Sequence, residues 1–364
     1  MGDRYLGAGT LIALRPQRRL GRSRDKVAWR DLAQPLMSDP HTSPGRNLAL
    51  ELVRVTEAAA LSAARLIGMG DKLAADQAAV DGMRQVLSTV SMDGLVVIGE
   101  GEKDEAPMLY NGEQVGNGSE PQVDIAVDPL EGTTLTAKGM PSALAVIAVS
   151  PRGTMFDPGP CVYMEKMAGA SDIADLLDLD RPVTETCAMI AERRNIEIGD
   201  VTVVVLDRDR HQEQIEKIRG AGARVRLISD GDVSAALLAV SDRSPVDLLW
   251  GVGGTPEGVI SAAALKAIGG ALIGRMWPRD EGERKAALEA GYDLEQQLTQ
   301  DDLVRGDDCF FSATGVTDGD VLQGVRYEGR GVASTESIVM RSSSGTVRRV
   351  TARHNREKMR EMTG

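Results

Sequence analysis

The chain has 364 residues and a formal net charge of −12, with 42% apolar and 26% charged residues. That length suggests about two domains around a buried core, the apolar content excludes wholesale disorder, and the acidic balance disfavours a general nucleic-acid binder. Cys161, Cys187 and Cys309 are far apart and form no Cys-x-x-Cys pair, which fits a reducing, cytoplasmic compartment, and no apolar run reaches the roughly 20 residues of a membrane helix.

Residues 1–46 differ from the rest. They hold eight Arg, one Lys and four Asp, a net +5, which leaves −17 for the remainder. The apolar stretch 6–14 runs straight into Arg15, Arg18 and Arg19, which is wrong for a secretory signal. The composition reads as a disordered extension, or as a start assigned too early with Met37 nearer the true one; the rival reading is a basic arm for an acidic surface.

Asn47 is a good helix N-cap. Beyond it Leu48, Leu52, Val55, Ala59, Ala63 and Leu66 form one helical stripe, stopped by Gly68 and Gly70. A second helix is expected over 73–90, with Ala79, Met83, Val86 and Val90 on its buried face. Asp76 falls on that same face, so it is either a partnered core acid or a metal ligand. Strands follow at 95–99, ending in Glu100, and at 123–127, ending in Asp128. Pro129 cannot extend a ladder, so the chain is expected to turn there. Glu131 can return to the same side as Asp128 if that turn is helical. Another strand is expected over 142–149, and mixed connections and short elements up to about residue 200.

From residue 201 strands and helices alternate: strands at 201–206, 224–228 and 246–249, helices at 211–219, 233–240 and from the glycine-rich stretch 251–258 to 268. That alternation predicts a largely parallel sheet covered by helices, whose ligands bind beyond the carboxyl ends of the strands. Those ends present Arg208 and Arg210, then Asp230 and Asp232, then Glu257. A strand at 309–316 and a hairpin of 337–341 and 346–351 close the chain.

Several chemistries fall away. There is no Gly-Lys-Ser/Thr phosphate loop, and Pro256 occupies the third glycine position of a dinucleotide fingerprint. Three scattered histidines, His41, His211 and His354, disfavour a His-rich zinc site. Cys187 and Arg193 have Cys-x5-Arg spacing, but the intervening residues lack glycine and include Glu192, so a packed Cys is the simpler reading. Asp230-Gly231-Asp232-Val233 after an apolar strand is a weak match to an aspartyl-phosphate motif.

Gly99-Glu100-Gly101-Glu102-Lys103-Asp104-Glu105-Ala106-Pro107-Met108-Leu109-Tyr110 and Asp124-Ile125-Ala126-Val127-Asp128-Pro129-Leu130-Glu131-Gly132-Thr133-Thr134 together resemble class II fructose-1,6-bisphosphatase, within the lithium-sensitive sugar and inositol phosphatase superfamily. The likeness continues through Gly70-Asp71-Lys72, Ser229-Asp230-Gly231-Asp232, Gly253-Gly254-Thr255-Pro256-Glu257-Gly258 and Phe311-Ser312-Ala313-Thr314-Gly315. It begins at about residue 47.

The resemblance implies a layered α-β-α-β-α phosphatase fold of α/β class: an α+β metal-binding domain over 47–195 and an α/β substrate-binding domain over 196–355. It implies Asp76, Glu100, Asp128, Glu131 and Glu257 as ligands of two or more Mg²⁺ or Mn²⁺ ions; strand alternation alone cannot choose between Glu100 and Glu102. It implies Thr133 as the residue orienting the attacking water, grouped with Asp76 and Lys72 as catalytic. It implies substrate contacts from Glu131, Gly132, Thr133, Tyr163, Arg208, Asp209, Arg210, Asp230, Gly231, Asp232 and Gly254. The expected reaction removes the 1-phosphate of fructose 1,6-bisphosphate in gluconeogenesis, in a homo-oligomer, dimer or tetramer, with no nucleic-acid or membrane partner. Sedoheptulose 1,7-bisphosphate or an inositol phosphate is the alternative substrate, and a non-catalytic sugar-phosphate-binding protein the alternative class.

The physical reading agrees with that chemistry. Carboxylates are hard oxygen ligands suited to Mg²⁺ or Mn²⁺. Two like charges about 4 Å apart cost about 4 kcal/mol at an effective dielectric of about 20, so five gathered acids call for cations. Arg208, Arg210 and Lys72 are the positive partners available to a phosphate.

Overall fold

A computed structural model of the chain describes residues 48–100, 109–241, 243–355 and 357–358. Residues 1–46, Asn47 and Glu102 lie outside them. In chain order the elements are α1 Leu48–Ala63, α2 Lys72–Leu87, β1 Asp93–Ile98, β2 Gln114–Val115, β3 Gln122–Glu131, α3 Thr133–Lys138, β4 Leu144–Pro151, β5 Tyr163–Gly169, α4 Val183–Arg194 and β6 Thr202–Leu206. Then come α5 Gln212–Gly220, β7 Arg224–Ile228, α6 Asp232–Ala239, β8 Leu248–Gly254, α7 Thr255–Ile268, β9 Ala271–Met276 and α8 Glu281–Glu289. The chain closes with β10 Leu298–Thr299, α9 Gln300–Leu303, β11 Phe310–Gly315, β12 Arg326–Gly329, β13 Val332–Arg341 and β14 Thr346–Asn355.

Two mixed sheets result. The first runs β12-β13-β11-β4-β3-β1-β2, with β14 paired along β13, and the second runs β10-β9-β5-β8-β6-β7. Helices α1 and α2 bury their apolar stripes (Leu52, Val55, Ala59 and Ala79, Met83) on one face of the first sheet. The other face of that sheet meets α6 and α7, which pack in turn on β5, β6, β8 and β9. The far face of the second sheet is covered by α4 and α5. The layering is therefore α-β-α-β-α, as the sequence led one to expect.

Three local expectations change. The second sheet is not largely parallel: β6 pairs in parallel with β7 and β8, while β5, β9 and β10 join antiparallel. The first sheet takes β11 to β14 from the chain's end, and β5 sits centrally in the second, so the sheets do not divide at residue 195. And β3 does not stop at Pro129. Asp128 pairs with Val146 and Glu131 with Leu144, and the register shift between them leaves Pro129 and Leu130 in a bulge, where the missing proline N–H costs no ladder bond. Cys187 and Arg193 both lie on α4, with Cys187 buried and its thiol pushed up to about 12 by burial, so they form no phosphate loop.

Candidate active site

The bulge in β3 sets the first part of the site. Leu130 N–H donates to Asp128 Oδ1 at 3.1 Å, fixing that carboxylate. Glu131 follows, buried, and Gly132 at φ 91° turns the chain into α3, whose first residue is Thr133. A side chain at Gly132 would strain that left-handed backbone. Asp124, although part of the same motif, is used structurally: it accepts the N–H groups of Thr154 and Met155 at 2.9 and 3.1 Å.

The second sheet brings its strand ends to the same place, as open α/β sheets do. Arg208 follows β6 and donates to Ser229 O at 2.8 Å. Arg210 donates twice to Val252 O, at 3.2 and 2.7 Å, with its guanidinium 4.9 Å from the centre of the Tyr163 ring. Asp230 and Asp232 flank Gly231, whose φ of 101° starts α6. Glu257 sits in the first turn of α7. Asp128, Glu131, Gly132, Tyr163, Arg208, Arg210, Asp230, Asp232, Gly254 and Glu257 together line one cavity of about 200 Å³, joined by Leu206 and Gly253.

Five acids are held in one electrostatic cluster. Burial pushes Glu100 up to about 7, aided by the charges of Asp76 and Glu257. Asp128 is raised well above the carboxylate range by burial and then by Glu100, Glu131, Glu257 and Asp76. Burial raises Glu131 strongly, against the Val233 amide that favours its charged form. Burial likewise raises Glu257, offset by the Lys166 ammonium, and raises Asp76. Glu131 Oε2 and Glu257 Oε2 are buried without a hydrogen-bond partner.

This is the signature of acids that want cations. The all-oxygen donor set and its two orphaned oxygens fit a hard divalent ion. As the side chains lie, no group of three or more His, Cys, Asp or Glu among the described residues is placed to hold a metal ion, so ligation would require the acids to draw together.

The remaining expected residues are distributed around this centre. Asp76 and Glu100 reach the cluster electrostatically from α2 and from the end of β1 without lining the cavity. Half-buried Thr133 and buried Gly231 adjoin lining residues. Asp209 and Lys72 are exposed and do not line the cavity. Burial is the one cause of the Asp76 shift, and Asp76 is not hydrogen-bonded to Thr133, so the acid does not orient that hydroxyl as the side chains lie.

One participant escaped the sequence reading: Lys166, 2% exposed, facing Asp232 Oδ2 across 2.5 Å. Cavity size does not single out the site. Two larger cavities, of about 520 and 540 Å³, lie against exposed α8 and among Arg226, Arg243 and Arg349, away from the raised acids.

Comparison with known proteins gives a consistent answer. A family model described as "Bacterial fructose-1,6-bisphosphatase, glpX-encoded" matches residues 46–354. A "Fructose-1,6-bisphosphatase class 2" of Haemophilus influenzae is 44% identical over 322 residues, covering 85% of this chain and 96% of the relative. Two proteins of Synechococcus strains, each named "D-fructose 1,6-bisphosphatase class 2/sedoheptulose 1,7-bisphosphatase", are 43% identical over 335 residues with the same coverage.

Proposed function

This chain belongs to the family of glpX-encoded bacterial fructose-1,6-bisphosphatases, and from that premise we infer that it is a phosphatase that hydrolyses the 1-phosphate of fructose 1,6-bisphosphate to fructose 6-phosphate and phosphate. We read the reaction as gluconeogenic and cytoplasmic; no helix among the described residues is long and apolar enough to cross a membrane. The observation that carries the reading is the single cavity in which Asp128, Glu131 and Glu257 face Arg208 and Arg210. Acids for cations and guanidinium groups for phosphate meet there in one small space.

Asp76, Glu100, Asp128, Glu131 and Glu257 would hold two or more Mg²⁺ or Mn²⁺ ions, which supply charge for the phosphate and an acidified water at neutral pH. The chain's own residues do the rest. Arg208 and Arg210 are anchored through backbone carbonyls and keep further N–H donors for phosphate oxygens. Asp230 and Asp232 accept from sugar hydroxyls, and Tyr163 closes the cavity beside Arg210. Thr133, at the start of α3, orients the water for in-line attack. Lys72 is exposed at the start of α2, and its part is to offer long-range positive charge. The metal-ligating acids come mainly from the first sheet and the substrate contacts mainly from the second. A homo-oligomer, dimer or tetramer, is the assembly we propose, tested by sedimentation.

The test is phosphate release from fructose 1,6-bisphosphate with Mg²⁺, with Mn²⁺ and with chelator, beside Glu100→Gln. Turnover that needs the metal and disappears in the variant supports the reading; turnover in chelator, or undiminished in Glu100→Gln, contradicts the metal assignment. The names of the two Synechococcus relatives favour a second substrate, sedoheptulose 1,7-bisphosphate, to be assayed in parallel with an inositol monophosphate. Binding of the bisphosphate with no release under any metal would instead mark a non-catalytic sugar-phosphate binder.

A further inference from the structure

Lys166 stands in the middle of β5, with Gly251 and Gly274 opposite it on the two neighbouring strands. It is among the largest fully buried side chains of the described residues. An ammonium group in that position needs partners. It has two: Asp232 Oδ2 at 2.5 Å and the Gly254 carbonyl at 2.9 Å. Both partners line the cavity. Glycine leaves the room this pair occupies, because a Cβ on Gly253 would fall 1.9 Å from Asp232 Oδ2 and 3.1 Å from Lys166 Nζ.

Stability alone is a poor reason for such a pair. Replacing a buried ion pair by apolar side chains is often neutral or stabilising. What the pair does achieve is a fixed orientation of Asp232. The Lys166 ammonium holds Oδ2 at ion-pair distance, 2.5 Å, on the protein side of the carboxylate, while neither Oδ2 nor Oδ1 has a hydrogen-bond partner in the protein. The same ammonium holds the Gly254 carbonyl, three residues before Glu257.

We propose that Lys166 is a positioning residue for substrate. Its charge holds Asp232 Oδ2 and its N–H holds the Gly254 carbonyl, so that the carboxylate is turned with Oδ1 towards a sugar hydroxyl. This rests on the phosphatase reading above and adds a residue to it.

The test uses the full-length protein with Mn²⁺ and fructose 1,6-bisphosphate. Lys166→Met keeps the apolar stem of the side chain and removes its ammonium group. Its KM is expected to rise tenfold or more, against a fall in kcat of threefold or less. Asp232→Asn raises KM as well, and the double variant Lys166→Met/Asp232→Asn has a KM no higher than that of Asp232→Asn, because both changes act on one contact. If Lys166→Met alone does not fold, the double variant, which removes both charges of the pair, carries the comparison. A Lys166→Met KM within twofold of the parent overturns the proposal. So does a double-variant KM tenfold above that of Asp232→Asn. An inactive parent protein sinks the phosphatase reading itself, whereas an active parent matched by Lys166→Met sinks this proposal alone.

Discussion

Glu131 Oε1 accepts the backbone N–H of Val233 at 2.6 Å, joining two residues 102 positions apart. The bond fastens the end of β3, in the first sheet, to the first turn of α6, in the layer beneath it. The cap residue of α6, Gly231, offers no side chain to that turn, so Glu131 takes its place. Its second oxygen, buried and unpartnered, is left for the cavity.

The two oxygens can be separated by substitution. Glu131→Ala leaves a buried amide unsatisfied, at a cost of about 1–2 kcal/mol, or a fall in Tm of about 1–3 °C for a chain of this size. Glu131→Gln keeps an acceptor for Val233 and removes one of the mutually repelling charges, so its Tm in chelator is expected at or above that of the parent. Both variants should lose phosphate release by about a hundredfold or more. Calorimetry beside the assay checks this, and equal Tm losses in the two variants would contradict the division of labour.

The acid cluster predicts a pH-dependent stability with a definite sign. Asp76, Glu100, Asp128, Glu131 and Glu257 are all raised above their ordinary values, primarily by burial. The folded state therefore binds protons more tightly than the unfolded state, and the stabilisation is complete below the ordinary carboxylate range and is lost as pH rises through the raised values, near 7 for Glu100. In chelator, Tm should fall between pH 5 and pH 8. Added Mn²⁺ should restore several degrees at pH 8 and little at pH 5, where protonated carboxylates are poor ligands. A chelated protein with the same Tm at both pH values would contradict this.

How much of this was legible in the sequence depended on how local the signal was. Asp76 declared itself by interrupting an apolar stripe, and Asp128 and Glu131 by their motif. The path between them did not: Pro129 argued for a turn, and only the pairing of Asp128 with Val146 and Glu131 with Leu144 makes room for a bulge. β5 was missed because Glu165 and Lys166 break its apolar run. A charged residue in a central strand is stable only when its partners arrive from elsewhere, and those of Lys166 lie 66 and 88 positions away. The same distance in sequence hid the return of β11 to β14 to the first sheet.

A further buried acid, away from the five-acid cluster, isolates the same physics. Glu57 on α1 accepts a hydrogen bond from Thr335 at 3.2 Å, and Thr335 Oγ1 lies 2.8 Å from His354 Nε2. Burial pushes Glu57 up to about 7 and pushes His354 down. Glu57 therefore contributes stability that is lost as pH rises from about 4.5 through 7. His354 has the opposite sign, losing its contribution as pH falls below its ordinary value of about 6.5. Glu57→Gln removes the first slope and keeps the second, so its Tm relative to the parent should be higher at pH 8 than at pH 5. Identical slopes in parent and variant would contradict the burial of Glu57 as a titrating group.

Arg210 tests the phosphate side. Its two bonds to Val252 O and its stacking on Tyr163 use the planar fork of a guanidinium, which an ammonium does not reproduce. Arg210→Lys keeps the charge and loses the anchoring. KM for fructose 1,6-bisphosphate is expected to rise about tenfold, with the loss of affinity persisting at saturating metal. An unchanged KM would mean that charge alone, without orientation, serves substrate binding.

Gly254 and Gly251 lie three residues apart on β8, and their alanine variants should fail in different ways. Gly254 has ordinary extended backbone, φ −63° and ψ 140°, so alanine is not strained there. Its Cβ would, however, stand 1.7 Å from Glu257 Oε2 and 2.5 Å from Glu257 Cδ. Only the end of a flexible side chain has to move, and Glu257 can swing away at small cost in stability. The carboxylate then leaves the cluster, so Gly254→Ala should melt within a few degrees of the parent while losing tenfold or more of its phosphate release. Gly251 sits at φ 146°, and a Cβ there would stand 3.2 Å from the His211 ring. That ring is itself held between Leu206 O and Val252 N, so it has no free direction in which to yield. Gly251→Ala combines a backbone conformation that L residues rarely adopt with a clash against a fixed ring, and should cost about 1–3 kcal/mol. Its signature is therefore a lowered Tm. If Gly254→Ala instead lost stability while keeping its activity, Glu257 would not be a member of the metal-binding set.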